Sequence, residues 1–281
     1  MYSVQRRLRA QGFAVETPIL PGHATDYNDL RWVKWTELRD AAFTAFEDML
    51  KRYETVSVSG LCLGAVLSLL IGIKYGNKVH SICPISTTLN FDGWSLPYKT
   101  RFLWIVPYSP LWFFYNIDES EPYGVKDLSI RALVMKKMKA SQKVHYSKIP
   151  VSAIWQMGRM NKFVKKNLHR ITAPVFAIHP REDEISSLAS VACMEQAIQP
   201  NLFTKLILEN SYHLATVDSE KGMVADRVSE FFSYGLFEQE NSDDLVALTD
   251  KFPHVLDRTE TTPYRSSIID TRAHGLVGAA S

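Results

Sequence analysis

Two periodicities alternate along most of this 281-residue chain. Residues 13–20 are a largely apolar run closed by Pro21-Gly22, which predicts a strand and a turn. Leu38, Ala41, Ala42, Ala45, Phe46 and Leu50 then recur at helical spacing between charged positions, predicting an amphipathic helix over 35–53. Residues 56–60 form a short β-branched segment that reads as a strand, and 82–85 reads as another. Between them, Leu63 to Tyr75 is mostly apolar with small residues, as expected of a helix buried against a sheet. After an interruption the alternation resumes, with strands predicted at 174–179 and 202–208 and helices at 187–198 and 219–232. This order predicts a mainly parallel sheet with helices on both faces.

The interruption covers 90–172 and is rich in Trp, Tyr, Phe and Lys, with a helical pattern at 127–139. We read it as a helical cap inserted between a first core segment, 1–89, and a second, 173–235. From 236 to 281 periodicity is lost and Glu, Asp, Ser, Thr and Pro accumulate, which predicts a polar, flexible tail. Within the cap, residues 102–115 gather aromatic and aliphatic side chains that suit an apolar acyl substrate, although a cap also needs such residues for its own core.

Charge adds an exclusion. Lys and Arg total 32 against 30 for Asp and Glu, so the net charge of +2 offers no electrostatic attraction for nucleic acid or an anionic membrane, and a small-molecule partner is expected. Three cysteines, Cys62, Cys83 and Cys193, have neither paired spacing nor an even count, which argues against a disulfide framework or zinc and for a reducing, cytoplasmic setting. The first residues carry charge where a secretory signal needs an apolar stretch, and the greasiest segment is broken by Pro107 and Pro110, so neither export nor a membrane span is expected. Metal-ligand spacing, phosphate-binding glycine loops and dinucleotide fingerprints are absent, so no metal or cofactor is expected. The oligomeric state is not legible.

The stretch that carries chemistry is Gly60-Leu-Cys62-Leu-Gly64, a strand running into a helix through G-x-nucleophile-x-G. Such a turn needs small residues on both sides because the nucleophile sits in a strained conformation above the sheet. The helix that follows directs its positive end at Cys62, favouring the thiolate, and the Leu63 N–H is placed to donate to an oxyanion. The same small residues would also serve packing alone, and buried cysteines are common. A base and an orienting acid are expected later in the chain, in the order acid then histidine. Asp183 follows the predicted strand 174–179, although Glu182 or Glu184 would also serve, and His213 follows the strand 202–208. Asp218 stands where it would cap the last helix, and His23 where it would fix the Pro21-Gly22 turn.

Pro18-Ile-Leu-Pro-Gly-His23, the Gly60-x-Cys-x-Gly64 elbow, Asp183 and Ser211-Tyr-His213-Leu together resemble bacterial carboxylesterases and monoacylglycerol-lipase-like members of the α/β-hydrolase superfamily, over about residues 1–232. The resemblance implies an α/β-hydrolase fold and a triad of Cys62, Asp183 and His213. Members of that family ordinarily carry serine at the elbow. Gly-Leu-Cys-Leu-Gly is similar to the elbow of dienelactone hydrolases and, less closely, polyhydroxyalkanoate synthases, which use cysteine. The implied activity is hydrolysis of an ester, thioester or lactone through an acyl-enzyme, with acyl transfer by the same cysteine, or ligand binding without catalysis, as alternatives. Family members also begin with further strands and a His-Gly loop that supplies a second oxyanion N–H. Met1 aligns after that loop, so the resemblance implies an N-terminally shortened fold with an unpaired sheet edge.

Overall fold

The computed structural model describes residues 1–23, 27–95, 114–118, 121–140, 148–234 and 274–279. Helix α1 (Tyr2–Ala10) buries Val4 and Leu8, one turn apart, and is an element that the strand-first reading of the sequence omits. Strand β1 keeps only Ala14–Glu16 of the expected 13–20 run, because Pro18 and Pro21 cannot donate to a ladder. A single-turn helix, α2 (Tyr27–Leu30), precedes α3 (Trp35–Leu50), whose buried Leu38, Ala42, Phe46 and Met49 are the apolar stripe that the periodicity predicts. Strand β2 (Thr55–Leu61) leads through Cys62 into α4 (Leu63–Tyr75), and β3 (Ile82–Ile85) follows. Helix α4 buries every residue from Gly64 to Ile73, which is why its sequence shows no polar face.

The expected insertion contains a two-stranded antiparallel ribbon, β4 (Asn116–Asp118) with β5 (Lys148–Pro150), and helix α5 (Leu128–Ala140) between them. Residues 102–113, most of the aromatic segment assigned to the substrate, lie outside the described residues, while Phe114 and Tyr115 are exposed. Helix α6 (Val151–Asn167) packs against α4 and adds Met160 and Val164 to the core cluster. The core then resumes with β6 (Val175–Pro180), α7 (Ala189–Ala197), β7 (Phe203–Leu208) and α8 (Lys221–Tyr234), and α8 packs against α1. No described helix is long and apolar enough to cross a membrane.

One sheet of six strands holds these elements in the order β1-β8-β2-β3-β6-β7, with every neighbouring pair parallel. Strands β2, β3 and β6 are buried almost throughout, as expected of parallel strands covered on both faces, and the architecture is the α/β-hydrolase fold. Strand β8 (His274–Ala279) corrects the reading of 236–281 as flexible tail, since six of those residues enter the sheet. Paired with β1 from Ala14 to Glu16 and with β2 from Thr55 to Gly60, it is an inner strand of the sheet. Gly275, Leu276, Val277 and Gly278 are small or apolar residues compatible with an inner strand, but the segment is too short and too glycine-rich to announce one. The rest of the predicted tail, 235–273 and 280–281, lies outside the described residues.

Candidate active site

Parallel strands end on one edge of their sheet, and the candidate residues follow four such ends: Cys62 after β2, residues 86–88 after β3, Asp183 after β6 and His213 after β7. At Cys62 the backbone turns through φ 56° and ψ −112°, a positive φ that a side chain rarely adopts. Its N–H donates to the Ile85 carbonyl at 3.1 Å, which ties the elbow to β3. Glycine is required at position 60, because a Cβ there would lie 2.2 Å from the backbone carbon of Gly64. Close approach of strand and helix at this point holds the turn in its strained form. Leu63 begins α4, so its N–H is one of the first-turn donors that have no acceptor within the helix.

Asp183 and His213 meet below the elbow. The two Asp183 oxygens lie 2.8 and 3.0 Å from His213 Nδ1, and both residues are buried. Asp183 Oδ1 also accepts the N–H groups of Ile185 and Ser186, each at 2.9 Å. Burial alone would raise the Asp183 pKa, but the charge and hydrogen bond of His213, the His179 ring and the Ser186 N–H hold it below its usual value. Burial likewise opposes a charged His213, yet Asp183 and then Cys62 outweigh it and hold the imidazole pKa well above 6.5. With Nδ1 committed to Asp183, the other ring nitrogen, Nε2, is buried and has no hydrogen-bond partner among the described residues. Burial pushes the Cys62 thiol up, but the charge of His213, with a smaller effect from Thr88, outweighs it and holds the pKa below its usual value. Catalytic contacts are often loose before a substrate is bound.

The structure separates Asp183 from the two glutamates that the sequence leaves open. Glu182 is turned to solvent in an ion pair, 2.6 Å from Lys126 Nζ. Glu184 is buried but reaches the backbone, accepting the His213 N–H at 3.0 Å, so it fixes the loop rather than the ring. Asp218 differs from the helix cap expected of it: fully buried, it accepts from the N–H groups of Lys126, Asp127, Tyr212 and Ser219, joining the segment before α5 to the His213 loop. A carboxylate that accepts four donors is better compensated there than at an exposed helix end. His23 holds its turn, with Nδ1 3.1 Å from the Pro21 carbonyl and Gly22 at φ 73°.

Two site groups escaped the sequence reading. Thr88 Oγ1 is 3.4 Å from Cys62 Sγ. His179 Nε2 is 3.5 Å from Asp183 Oδ2 and 2.8 Å from the Ser186 carbonyl. Glu184, which the sequence offered only as an alternative acid, holds the backbone of the His213 loop instead. Thr88 had a usable signal, being three residues past a predicted parallel strand on the edge where ligands bind. His179 had none, because a histidine inside a strand has no motif.

Residues 2–220 match the family described as serine aminopeptidase, S33. A thermostable monoacylglycerol lipase of Bacillus sp. (strain H-257) is 24% identical over 230 residues, covering 79% of this chain and 80% of that protein. A carboxylesterase of Bacillus subtilis (strain 168) is 20% identical over 227 residues, covering 80% and 83%. Among solved structures, one of the metagenome-derived lipolytic enzymes LipS and LipT superposes with a TM-score of 0.68 at 21% identity, covering 82% of this chain and 87% of that one. The monoacylglycerol lipase of Paleococcus ferrophilus gives 0.58 at 14% identity, covering 73% and 77%. At these identities the structural likeness bears on fold.

Proposed function

Because the chain belongs to the serine aminopeptidase S33 family and is an enzyme of the α/β-hydrolase type, we propose that it hydrolyses carboxylic esters of apolar acyl groups, with Cys62 in place of the serine of the family's name. The observation that carries this proposal is the buried Asp183–His213 pair, 2.8 Å apart, beside a cysteine held at positive φ in a strand-to-helix turn. The lipase and esterase names of the Bacillus relatives support an ester as the substrate. In the proposed reaction the Cys62 thiolate attacks the ester carbonyl carbon, and the carbonyl π electrons move to oxygen, which accepts from the Leu63 N–H. Collapse of the tetrahedral species breaks the C–O bond, and the leaving alkoxide takes the Nε2 proton of His213. The neutral imidazole then removes a proton from water, whose hydroxide attacks the thioester. A second collapse releases the acid and restores the thiolate beside the imidazolium.

A cysteine at the elbow also suits transfer of the acyl group to an acceptor other than water, because a thioester is a reactive acyl donor. Turnover of a p-nitrophenyl ester distinguishes the two: steady release supports hydrolysis, whereas a burst that stops at one equivalent supports transfer. Iodoacetamide should label Cys62 before Cys83 and Cys193, whose thiols are pushed up by burial, and Cys62→Ala should abolish turnover. Equal, slow labelling of all three thiols, or an active Cys62→Ala variant, would falsify the assignment. Ligand binding with no labelling of Cys62 would instead favour a non-catalytic relative.

A further inference from the structure

The sulfur of Cys62 has a second polar neighbour besides His213. The Thr88 hydroxyl lies 3.4 Å from Sγ and also 3.4 Å from the Ser86 carbonyl oxygen. A hydroxyl has one proton, so the two acceptors compete for it. The distance is long for a hydroxyl donating to oxygen but within reach of the larger sulfur. Once sulfur carries charge it becomes the stronger acceptor. The hydroxyl is also held in place. Thr88 is fully buried, and its carbonyl accepts Asn161 Nδ2 from α6 at 2.7 Å. The Thr87 carbonyl accepts Ser186 Oγ at 3.0 Å, and Ser86, at φ 46°, donates its N–H to Ile178 at 2.8 Å. Segment 86–88 is therefore pinned by β6, by the Asp183 loop and by α6, and of its three hydroxyls it is that of Thr88 that lies within reach of the sulfur.

We propose that Thr88 is a further catalytic residue, whose hydroxyl donates to the Cys62 thiolate in the resting enzyme and returns to the Ser86 carbonyl when the sulfur bonds to the substrate carbon. This inference rests on Cys62 being the nucleophile. No bond to Thr88 forms or breaks; its proton only changes acceptor. Two donors, imidazolium and hydroxyl, thus hold the thiolate against the cost of burial, and the weaker one yields without a proton having to leave. Asn161 acts through the Thr88 backbone as a positioning residue. The charged groups that bear on the sulfur are His213 directly and Asp183 behind it, with His179 and Glu184 contacting that pair. Strand β2 and α4 as far as Ile73 contribute no ionisable side chain besides Cys62 itself. Thr88 also lowers the thiol pKa in its own right.

The test is the pH dependence of Cys62 alkylation by iodoacetamide, followed by peptide mass spectrometry in the full chain, for wild type, Thr88→Val and Thr88→Ser. Losing one hydrogen bond to a charged sulfur should raise the midpoint in Thr88→Val by about one pH unit, equivalent to a roughly tenfold slower reaction below both midpoints. Thr88→Ser should stay near wild type, and the labelling of Cys83 and Cys193 should not change. Where valine prevents folding, Thr88→Ala removes the same hydroxyl with less bulk. An unchanged midpoint in Thr88→Val overturns the role of Thr88 while leaving Cys62 a low-pKa nucleophile. A wild-type midpoint at the value of an ordinary thiol overturns both. Equal acceleration of all three thiols overturns it too, since that is general loosening.

Discussion

Deletion of residues 274–281 removes the strand that lies between β1 and β2. Neighbouring strands are about 4.8 Å apart, so β1 and β2 would be left roughly 10 Å from each other, too far to pair. Strand β8 is paired with three residues of β1 and six of β2. At about one ladder hydrogen bond per paired residue and ~1 kcal/mol net for each, the loss is on the order of 5–10 kcal/mol. That rivals the total stability of a typical domain, about 5–15 kcal/mol. Partial closure of β1 onto β2 would recover some of it. Even a residual deficit of ~2.5 kcal/mol would lower the melting temperature of a domain this size by roughly 5–10 °C. Melting followed by circular dichroism, alongside p-nitrophenyl ester turnover, would test the point. A truncated chain that melts and turns over like the full chain would show that β8 is not an integral strand, and the pairing of β1 would need another explanation.

Two shorter predictions concern the proposed triad. Asp183→Asn should cost on the order of 10⁴ in turnover by leaving the imidazole in the wrong tautomer, with little change in melting temperature. Glu182→Gln, which removes only a surface ion pair with Lys126, should be near silent, and the opposite pattern would reassign the acid. Turnover should rise with pH at a point below the 9.0 of an ordinary thiol: burial opposes the Cys62 thiolate, but His213 and Thr88 outweigh it, so the anion persists where a free cysteine is still protonated. It should fall again once His213, charged well above pH 6.5 despite its burial, loses the proton needed by the leaving group. These limbs belong to the coupled pair rather than to either residue, and a profile that rises only above pH 9.0 would contradict the thiolate–imidazolium pair.

The strands that flank the site were legible because each is a short apolar run beside a turn signal, as at 56–60 and 82–85. Helix α3 was legible because its stripe is one-sided, and α4 because apolar residues fill it completely. The elbow was legible because its glycines answer a local steric demand: Gly60 must admit the backbone of Gly64. Long-range requirements left no such mark. Whether Glu182, Asp183 or Glu184 meets His213 depends on how one loop turns after β6, and three adjacent acids look alike in a sequence. Thr88 touches sulfur because β3 lies beside β2, a sheet-order fact that no window of residues contains. Strand β8 is the extreme case, since its partners are more than 200 residues away and its own six residues are too glycine-rich to announce a strand.

The two sides of β2 make separable contributions. On one side, the ends of β3, β6 and β7 bring the Thr88 hydroxyl, the Asp183 carboxylate and the His213 imidazole to the proposed site at Cys62. On the other, β8 contributes backbone pairing that runs level with the elbow, Ala279 opposite Gly60. Isosteric changes on the first side, such as Asp183→Asn, should change the pH profile and rate while leaving the melt nearly intact, because the packing and the Ile185 and Ser186 N–H bonds to Oδ1 are kept. Defects on the second should lower melting temperature and rate together, because the strained turn at Cys62 holds only while β2 is fixed between its neighbours. A triad variant that melts like the β8 deletion would mean that the polar cluster also carries the fold, and the two roles could not be assigned to opposite sides of the strand.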